Sequence, residues 1–413
     1  MRYPSSLQRC LALLLLLLTT TGASAIRQVQ GRYISVTITS RKDCAVTDAP
    51  YRAIGDGQTD ATRALQRALN DETCGRVIIP APGTFLTAAL ALTRSNMELH
   101  IEKGAKLLVS NDRERWPGTA HIIQATNISH IAITGAGTVD GQGLDWWRHR
   151  FEFRPHMVHF EQVHHAILSK TLYLNAPNHV LEMYCDFCEI AFVRVLAPPS
   201  DGNVCENDNT CSHNTDAVDI HGQPFYVHNV NFTTGDDNIA AHANHTLVED
   251  SYFGSGHGAS IGSLCNNYLT NITFRNIEFR GTTNGARIKS HPNCSGHVWE
   301  VTYKNLTMKN VDTPIELNQY YEGSGPSAYL FERILFTDMY IFGARKTRRK
   351  RLPALSSEAD VNFDCDDHFD GKANCRVQME NIRFSGYGKR GATMSCKGVE
   401  GTVKNINGIH SCL

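Results

Sequence analysis

Ile272-Thr273-Phe274-Arg275-Asn276-Ile277-Glu278-Phe279 is two short runs of alternating apolar residues that meet at an asparagine. Alternation by two is the period of a strand with one buried face. Asparagine at the junction tolerates the backbone of a tight bend. The same grammar recurs in Val227-His-Asn-Val-Asn-Phe232 and in Val301-Thr-Tyr-Lys-Asn-Leu-Thr-Met308. A strand-bend-strand unit returning every 20 to 35 residues is the signature of a solenoid.

Working outward, short strand-like runs fill most of the chain. They include 76–79, 97–101, 131–134, 166–168, 190–195, 246–248, 334–336, 377–379 and 403–406, with Gly, Asn, Asp and Ser between them. A β-sandwich or propeller of similar composition favours antiparallel hairpins with turns such as Asn-Gly, and these are scarce. The expected fold is therefore all-β, a right-handed parallel β-helix, with residues 26–413 forming a single catalytic domain. Only Ala61 to Leu69 departs clearly from it. Apolar residues at 61, 64, 65, 68 and 69 give one buried helical stripe, with Thr59 or Asp60 as a natural N-cap. One amphipathic helix at that position suits capping the open N-terminal end of the coil.

Arg2 and Arg9, the apolar run Leu11 to Leu18 and Ala23-Ser24-Ala25 describe a secretory signal peptide over residues 1–25. The run is too short for a membrane span of about 20 residues, so a secreted, extracellular protein with no membrane partner is expected. The formal charge is −1 over the whole sequence, and −3 once Arg2 and Arg9 leave with the signal. A nucleic-acid partner would call for a strongly basic face, and none is expected. Any grip on a polyanion must come from a few placed cations.

Thirteen cysteines become an even 12 without Cys10, which in an oxidising compartment argues for pairing. Proximity pairs Cys44–Cys74, Cys205–Cys211, Cys265–Cys294, Cys365–Cys375 and Cys396–Cys412. Cys185 and Cys188 are left over, with metal-ligand spacing but no second such pair nearby. Asn127, Asn231, Asn244, Asn271, Asn293 and Asn305 stand in N-glycosylation sequons. The run Arg345 to Arg351 holds six cations in seven residues, read as a solvated loop, a processing site or a contact for an anionic polymer.

Chemistry concentrates between His213 and Lys289. Asp216, the pair Asp236-Asp237, His257, and Arg287 with Lys289 sit in four polar clusters beside apolar runs. Asp216 and Asp237 lie 21 positions apart, and Asp237 and His257 lie 20 apart. Parallel coils stack about 4.8 Å apart, so that period places these side chains on one face. Consecutive aspartates point to opposite sides of a strand, so Asp236 and Asp237 require a bend between Gly235 and Asn238. Glycoside hydrolysis needs one protonated and one ionised carboxyl, and clustering raises the pKa of one member by repulsion. The assignment is Asp236 as general acid, Asp216 with Asp237 as the base that activates water, and His257 tuning the acid. Arg287 and Lys289, at i and i+2, project from one face and suit the carboxylate of an acidic sugar.

These clusters resemble the polygalacturonases of glycoside hydrolase family 28. Asn214-Thr215-Asp216, Gly235-Asp236-Asp237, Gly256-His257-Gly258 and Arg287-Ile288-Lys289 match the family's four signatures in order. The likeness extends from Gly55 to the later Gln319-Tyr320-Tyr321 segment and covers nearly all of the chain after residue 25. It implies cleavage of α-1,4 bonds between galacturonic acid units of pectin or polygalacturonate, with inversion, without a metal or other cofactor, by a monomer. It also implies that Asn214, Arg287, Lys289 and Tyr321 bind substrate. Ala217 stands where a glycine commonly follows the first signature, and Asn238 where many members carry a bridging cysteine. A pectate lyase would need calcium on clustered acids, whereas here the acids come with His257 and the Arg-Ile-Lys segment. The alternatives are a hydrolase of substituted, xylogalacturonan-like pectin and a non-catalytic pectin-binding β-helix.

Overall fold

The structure, a computed structural model, describes residues 26–40, 42–116, 118–149, 153–197, 212–343, 359–367, 373–388 and 391–413. The signal peptide, the Cys205–Cys211 pair and the basic run at 345–351 therefore lie outside the described residues. Within them, 29 strands join one continuous parallel ladder in which each strand pairs with its counterparts one coil before and one coil after. Two of the three units read from sequence are consecutive rungs, and the third, Val227 to Phe232, is separated from them by one rung, Thr246–Phe253. Ile272, Phe274, Ile277 and Phe279 pair with Val301, Tyr303, Leu306 and Met308, and these with Ile334, Phe336, Met339 and Ile341. This is the parallel β-helix expected from the alternation.

The asparagine bends behave as the sequence implies. Asn229, Asn276 and Asn305 adopt φ of 53°, 56° and 52°, the left-handed region in which asparagine is several-fold enriched. Their side chains form a ladder as well: Asn305 Nδ2 donates to Asn276 Oδ1 at 2.9 Å, and Asn276 Nδ2 donates to Asp250 Oδ1 at 2.9 Å. The sequon asparagine Asn305 thus has a structural role at its bend.

Inward side chains stack coil upon coil. Phe274, Tyr303 and Phe336 lie at ring separations of 4.9 and 5.4 Å, and the apolar core runs without a break from Cys44 to Ala392. Offset stacking of this kind adds about 0.5–1.5 kcal/mol per pair beyond the area buried. Tyr303 meets its own polar demand by donating to the Arg287 carbonyl at 2.9 Å, so the core stack ties into the strand that carries the site cations.

Helix Thr62–Asn70 buries Leu65, Ala68 and Leu69 against strand Leu90–Leu92, and Gln66 exchanges hydrogen bonds with the Ala91 backbone. It occupies the position of a missing earlier rung and caps the coil as expected. The cap is shifted by one residue: Asp60 Oδ1 accepts from the Thr62 backbone N–H at 2.9 Å, and the first residue outside the helix is Ala61. A second helix, Gly143–His149, was not foreseen, because Trp146 and Trp147 masked its short period. Hairpin Arg27–Gln30 with Ser35–Ile38 is antiparallel and lays Val36 and Ile38 on Ala132 and Ile167.

Bridges Cys44–Cys74, Cys265–Cys294, Cys365–Cys375 and Cys396–Cys412 form as paired by proximity. Cys185 and Cys188, left unassigned to a partner by proximity to other cysteines, are bridged to each other.

Candidate active site

One sheet of the coil carries the site. Val218–Ile220, Ile239–Ala241, Ala259–Leu264, Asn284–Ser290 and Thr313–Asn318 are successive rungs. Their inward positions are apolar, as in Ile220, Ala241, Ile261, Ile288 and Leu317. The intervening positions, Asp219, Ala240, Ser260, Arg287 and Glu316, form an outward column. Just before these strands the chain turns, and the turns hold Asp216, Asp236, Asp237 and His257.

The bend required for the paired aspartates is present. The chain leaves strand Asn231–Thr233, bends at Gly235 and Asp236, and enters the next strand at Ile239. Thr234 Oγ1 donates to the Asp236 carbonyl at 2.7 Å, and Thr215 Oγ1 accepts from the Gly235 N–H at 3.0 Å. Asn238 stands beneath as a buried cross-link. Its amide donates to the carbonyls of Phe232 and Ser255 at 3.3 and 3.1 Å and accepts from the Gly258 N–H at 2.9 Å. Hydrogen bonds of Asn238 thus join the two turns.

Gly258 is held at φ +82°, and a Cβ there would lie 2.2 Å from the Asn284 carbonyl oxygen. Gly258→Ala is therefore expected to displace the His257 turn. A loss of about 1–3 kcal/mol in unfolding free energy, from left-handed strain and overpacking, should accompany a fall in kcat, measured by urea titration and reducing-sugar release. Unchanged values for both would contradict the packing described.

Both aspartates reach one pocket of about 620 Å³, whose lining includes Asn214, Asp216, Asp236, Asp237, His257, Lys289 and Tyr321. Seven of the eight expected site residues therefore meet in it. The eighth, Arg287, lies just below: its Nε is 2.9 Å from Glu316, its Nη1 is 3.9 Å from Asp237, and its side chain is 3% exposed. Lys289 Nζ donates to Asp237 Oδ2 at 2.7 Å, and Ser260 Oγ donates to Asp237 Oδ1 at 2.8 Å. The Tyr321 ring covers both cations, 5.1 Å from Arg287 and 4.8 Å from Lys289. The cations read as substrate ligands are thus committed first to the site's own acids.

The carboxyls differ in environment. Asp236 Oδ1 lies 2.9 Å from His257 Nδ1 and accepts from the Asp237 N–H at 3.0 Å, while Oδ2 accepts from the Asn214 N–H at 3.2 Å. Burial opposes its ionisation, but His257, Lys289 and His213 outweigh burial and hold it well below the usual range. Asp216 is pushed well above that range by burial and by the neighbouring Asp236 and Asp219, and its Oδ1 is buried without a donor. The expectation that crowding raises the acid's pKa is thus met at Asp216 and not at Asp236. The reason is local: His257, then Lys289 and His213, stabilise charge on Asp236.

Sequence reasoning missed the residues around Asp216. His179 lies 3.6 Å from Asp216, 3.1 Å from Asp219 and 2.6 Å from Glu182, and His221 lies 3.1 Å from Glu182. Arg154 donates to the carbonyls of His213 and Pro177 at 2.7 and 3.0 Å and to Asn214 Oδ1 at 2.9 Å. Asp219, three positions after Asp216, carried the one available signal.

Burial lowers the His179 pKa, but Asp219 and Asp216 raise it further, leaving it well above its ordinary value. Its contribution to stability is complete below about pH 6.5 and is lost as pH rises through the folded-state pKa. Burial lowers His121 to about 4 and His156 to about 3. The unfolded chain binds those protons first, so stability falls as pH drops from about 6.5 toward 4. Thermal midpoints are therefore expected to be highest near pH 6.5, with the alkaline slope reduced in His179→Gln. A midpoint that climbs steadily from pH 6.5 to 9 would contradict this.

Among the described residues, four overlapping clusters of potential ligands surround the site: Asp236, Asp237 and His257; His179, Asp216 and Asp219; His156, His179 and Glu182; and His121, His156 and His159, each with ligand atoms within 4.8 Å of one another.

Comparison with known proteins agrees with the geometry. A probable polygalacturonase of Arabidopsis thaliana is 32% identical over 289 residues, covering 66% of this chain and 60% of that protein. The chain thus spans less than two thirds of that relative's length. An endo-polygalacturonase of Pectobacterium carotovorum subsp. carotovorum is 29% identical over 304 residues, covering 63% of this chain and 72% of that one. The solved polygalacturonase of Erwinia carotovora ssp. carotovora superposes with a TM-score of 0.72 at 24% identity, covering 91% of this chain and all of that one, a likeness of fold. The family model for glycosyl hydrolases family 28 matches residues 70–412, a span that contains every site residue above, and the chain belongs to that family.

Proposed function

We propose that the chain is a secreted, monomeric polygalacturonase, a single catalytic domain that hydrolyses α-1,4-galacturonosidic bonds of pectin with inversion and without a metal. The observation that carries this reading is the convergence of Asp216, Asp236, Asp237 and His257 in one pocket with Lys289 and Tyr321 at its side. Asp236 protonates the glycosidic oxygen. His257 Nδ1, 2.9 Å from Asp236 Oδ1, is placed to pass a proton to that carboxyl as a substrate oxygen approaches. Asp216 has a raised pKa and a free oxygen, which makes it the stronger proton acceptor for the attacking water. Asp237, fixed by Lys289 and Ser260, positions that water. Arg287 and Lys289 present positive charge beneath Tyr321 to the sugar carboxylate. The likeness to a probable polygalacturonase and to an endo-polygalacturonase supports the substrate class.

The reading is tested by incubating the protein with polygalacturonate, with and without EDTA. Reducing ends should be released equally in both, and not by Asp216→Asn or Asp237→Asn although these still bind the polymer. Unsaturated products that require calcium would identify a lyase. Binding without release by the unaltered protein would identify a non-catalytic β-helix.

A further inference from the structure

The two halves of the cleft are chemically unlike. On the C-terminal side of the reacting carboxyls stand Lys289, Arg287 and Tyr321. On the N-terminal side, one and two rungs earlier, His159 pairs with Glu182 and Glu182 with Asp219 in the same outward column. His179, Glu182, Asp219, His221 and His242 continue the pocket in that direction.

Among the described residues lining the pocket, Lys289 is the one Lys or Arg. Arg154 is near, but its guanidinium is committed to two carbonyls and to Asn214. Two imidazoles there are already committed to acids: His179 faces Glu182, Asp219 and Asp216 within 3.6 Å, and His221 lies 3.1 Å from Glu182. Burial opposes ionisation of Glu182, but hydrogen bonds from His179 and His221 hold its pKa well below the usual range. His242 is pushed down to about 3 by burial and by His221, and His156 also to about 3 by burial and by His179. These imidazoles are uncharged whenever Glu182 and a uronate are ionised. The remaining surface is flat and aromatic in character: Tyr184 stacks on His221 at 4.1 Å, and His221 stacks on His242 at 4.8 Å.

A uronate carboxylate placed there would meet Glu182 with no Lys or Arg among the described lining residues of that side to answer it, whereas an uncharged sugar ring would find hydrogen-bond acceptors and ring faces. We propose that this half of the cleft is a subsite for a pyranose that carries no free carboxylate, in pectin a methyl-esterified galacturonate. The inference rests on the polygalacturonase reading and narrows it: one side of the cleaved bond is read as acid, the other as ester. Specificity arises because a charged unit is rejected, as much as because an uncharged one is held.

The test uses the full chain on three polymers at one pH and ionic strength: de-esterified polygalacturonate, pectin about half methyl-esterified at random, and a galacturonate–rhamnose alternating polymer. The expected result is kcat/KM on the order of tenfold higher on the esterified polymer than on the de-esterified one. Mass spectrometry of the products should find esters enriched on one fixed side of each cut. In Glu182→Gln the ratio between the two polymers should fall toward one. The positional enrichment is read on the unaltered protein, so it decides the matter even if that variant does not fold. Preferred cleavage of the rhamnose polymer would keep the uncharged subsite and identify its occupant as a neutral sugar. Preference for the de-esterified polymer with esters on neither side of the cut would overturn the inference. Failure to cleave any of the three would overturn the polygalacturonase reading itself.

Discussion

Asp236→Asn is expected to lower kcat on polygalacturonate by a factor of about 10²–10⁴, the usual range for a lost general acid, with a much smaller change in KM. The substitution leaves Oδ1 able to accept from the Asp237 N–H and face His257. It sets an amide N–H₂ against the Asn214 N–H, which now donates to Oδ2 at 3.2 Å. One lost hydrogen bond costs about 1 kcal/mol, so the fold should survive and the kinetic effect should stand alone. His257→Gln is expected to cost less, because His257 acts through its contact with Asp236 Oδ1. Steady-state kinetics beside thermal melts separates these outcomes. A folded Asp236→Asn protein with undiminished kcat would remove Asp236 from the chemistry.

Lys289→Met should act on stability as strongly as on turnover. It keeps the chain length and deletes the ammonium group that lies 2.7 Å from Asp237, a carboxylate whose side chain is 2% exposed. Arg287 at 3.9 Å and Ser260 at 2.8 Å remain, but Arg287 is held by Glu316. Removing one member of a buried ion pair typically costs about 3–5 kcal/mol, because the other charge is left uncompensated. Denaturant unfolding should show a loss of that order, together with a raised KM from the lost cation. The double variant Lys289→Met/Asp237→Asn should recover much of the stability and none of the activity. If the single variant melts with the unaltered protein, the ion pair contributes nothing and the cations serve substrate alone.

The coil was legible because it repeats. Ile272 to Phe279 states the unit, and each asparagine at a bend announces the left-handed residue that the turn requires. Stacking distance then made 20 or 21 residues one rung and placed Asp216, Asp237 and His257 together. What sequence could not supply was the commitment of each charge. Arg287 and Lys289 read as free hands for a uronate, and the fold binds them to Glu316 and Asp237. Asp236 read as the carboxyl raised by crowding, and His257, with Lys289 and His213, outweighs burial and makes it the one that is lowered. His179 and Glu182 went unread because they stand one coil earlier, in a part of the sequence with no repeated motif to mark them. Helix Gly143–His149 was missed because seven residues, two of them tryptophans, show no helical period.

The central claim is that Asp236 protonates the leaving oxygen while Asp216 and Asp237 direct water to the opposite face of the sugar. Proton NMR recorded during the first minutes of hydrolysis of an α-1,4-linked galacturonate oligomer tests it most directly. The account predicts that the new reducing end appears first as the β anomer and mutarotates afterwards. A new reducing end that appears first as the α anomer would contradict it.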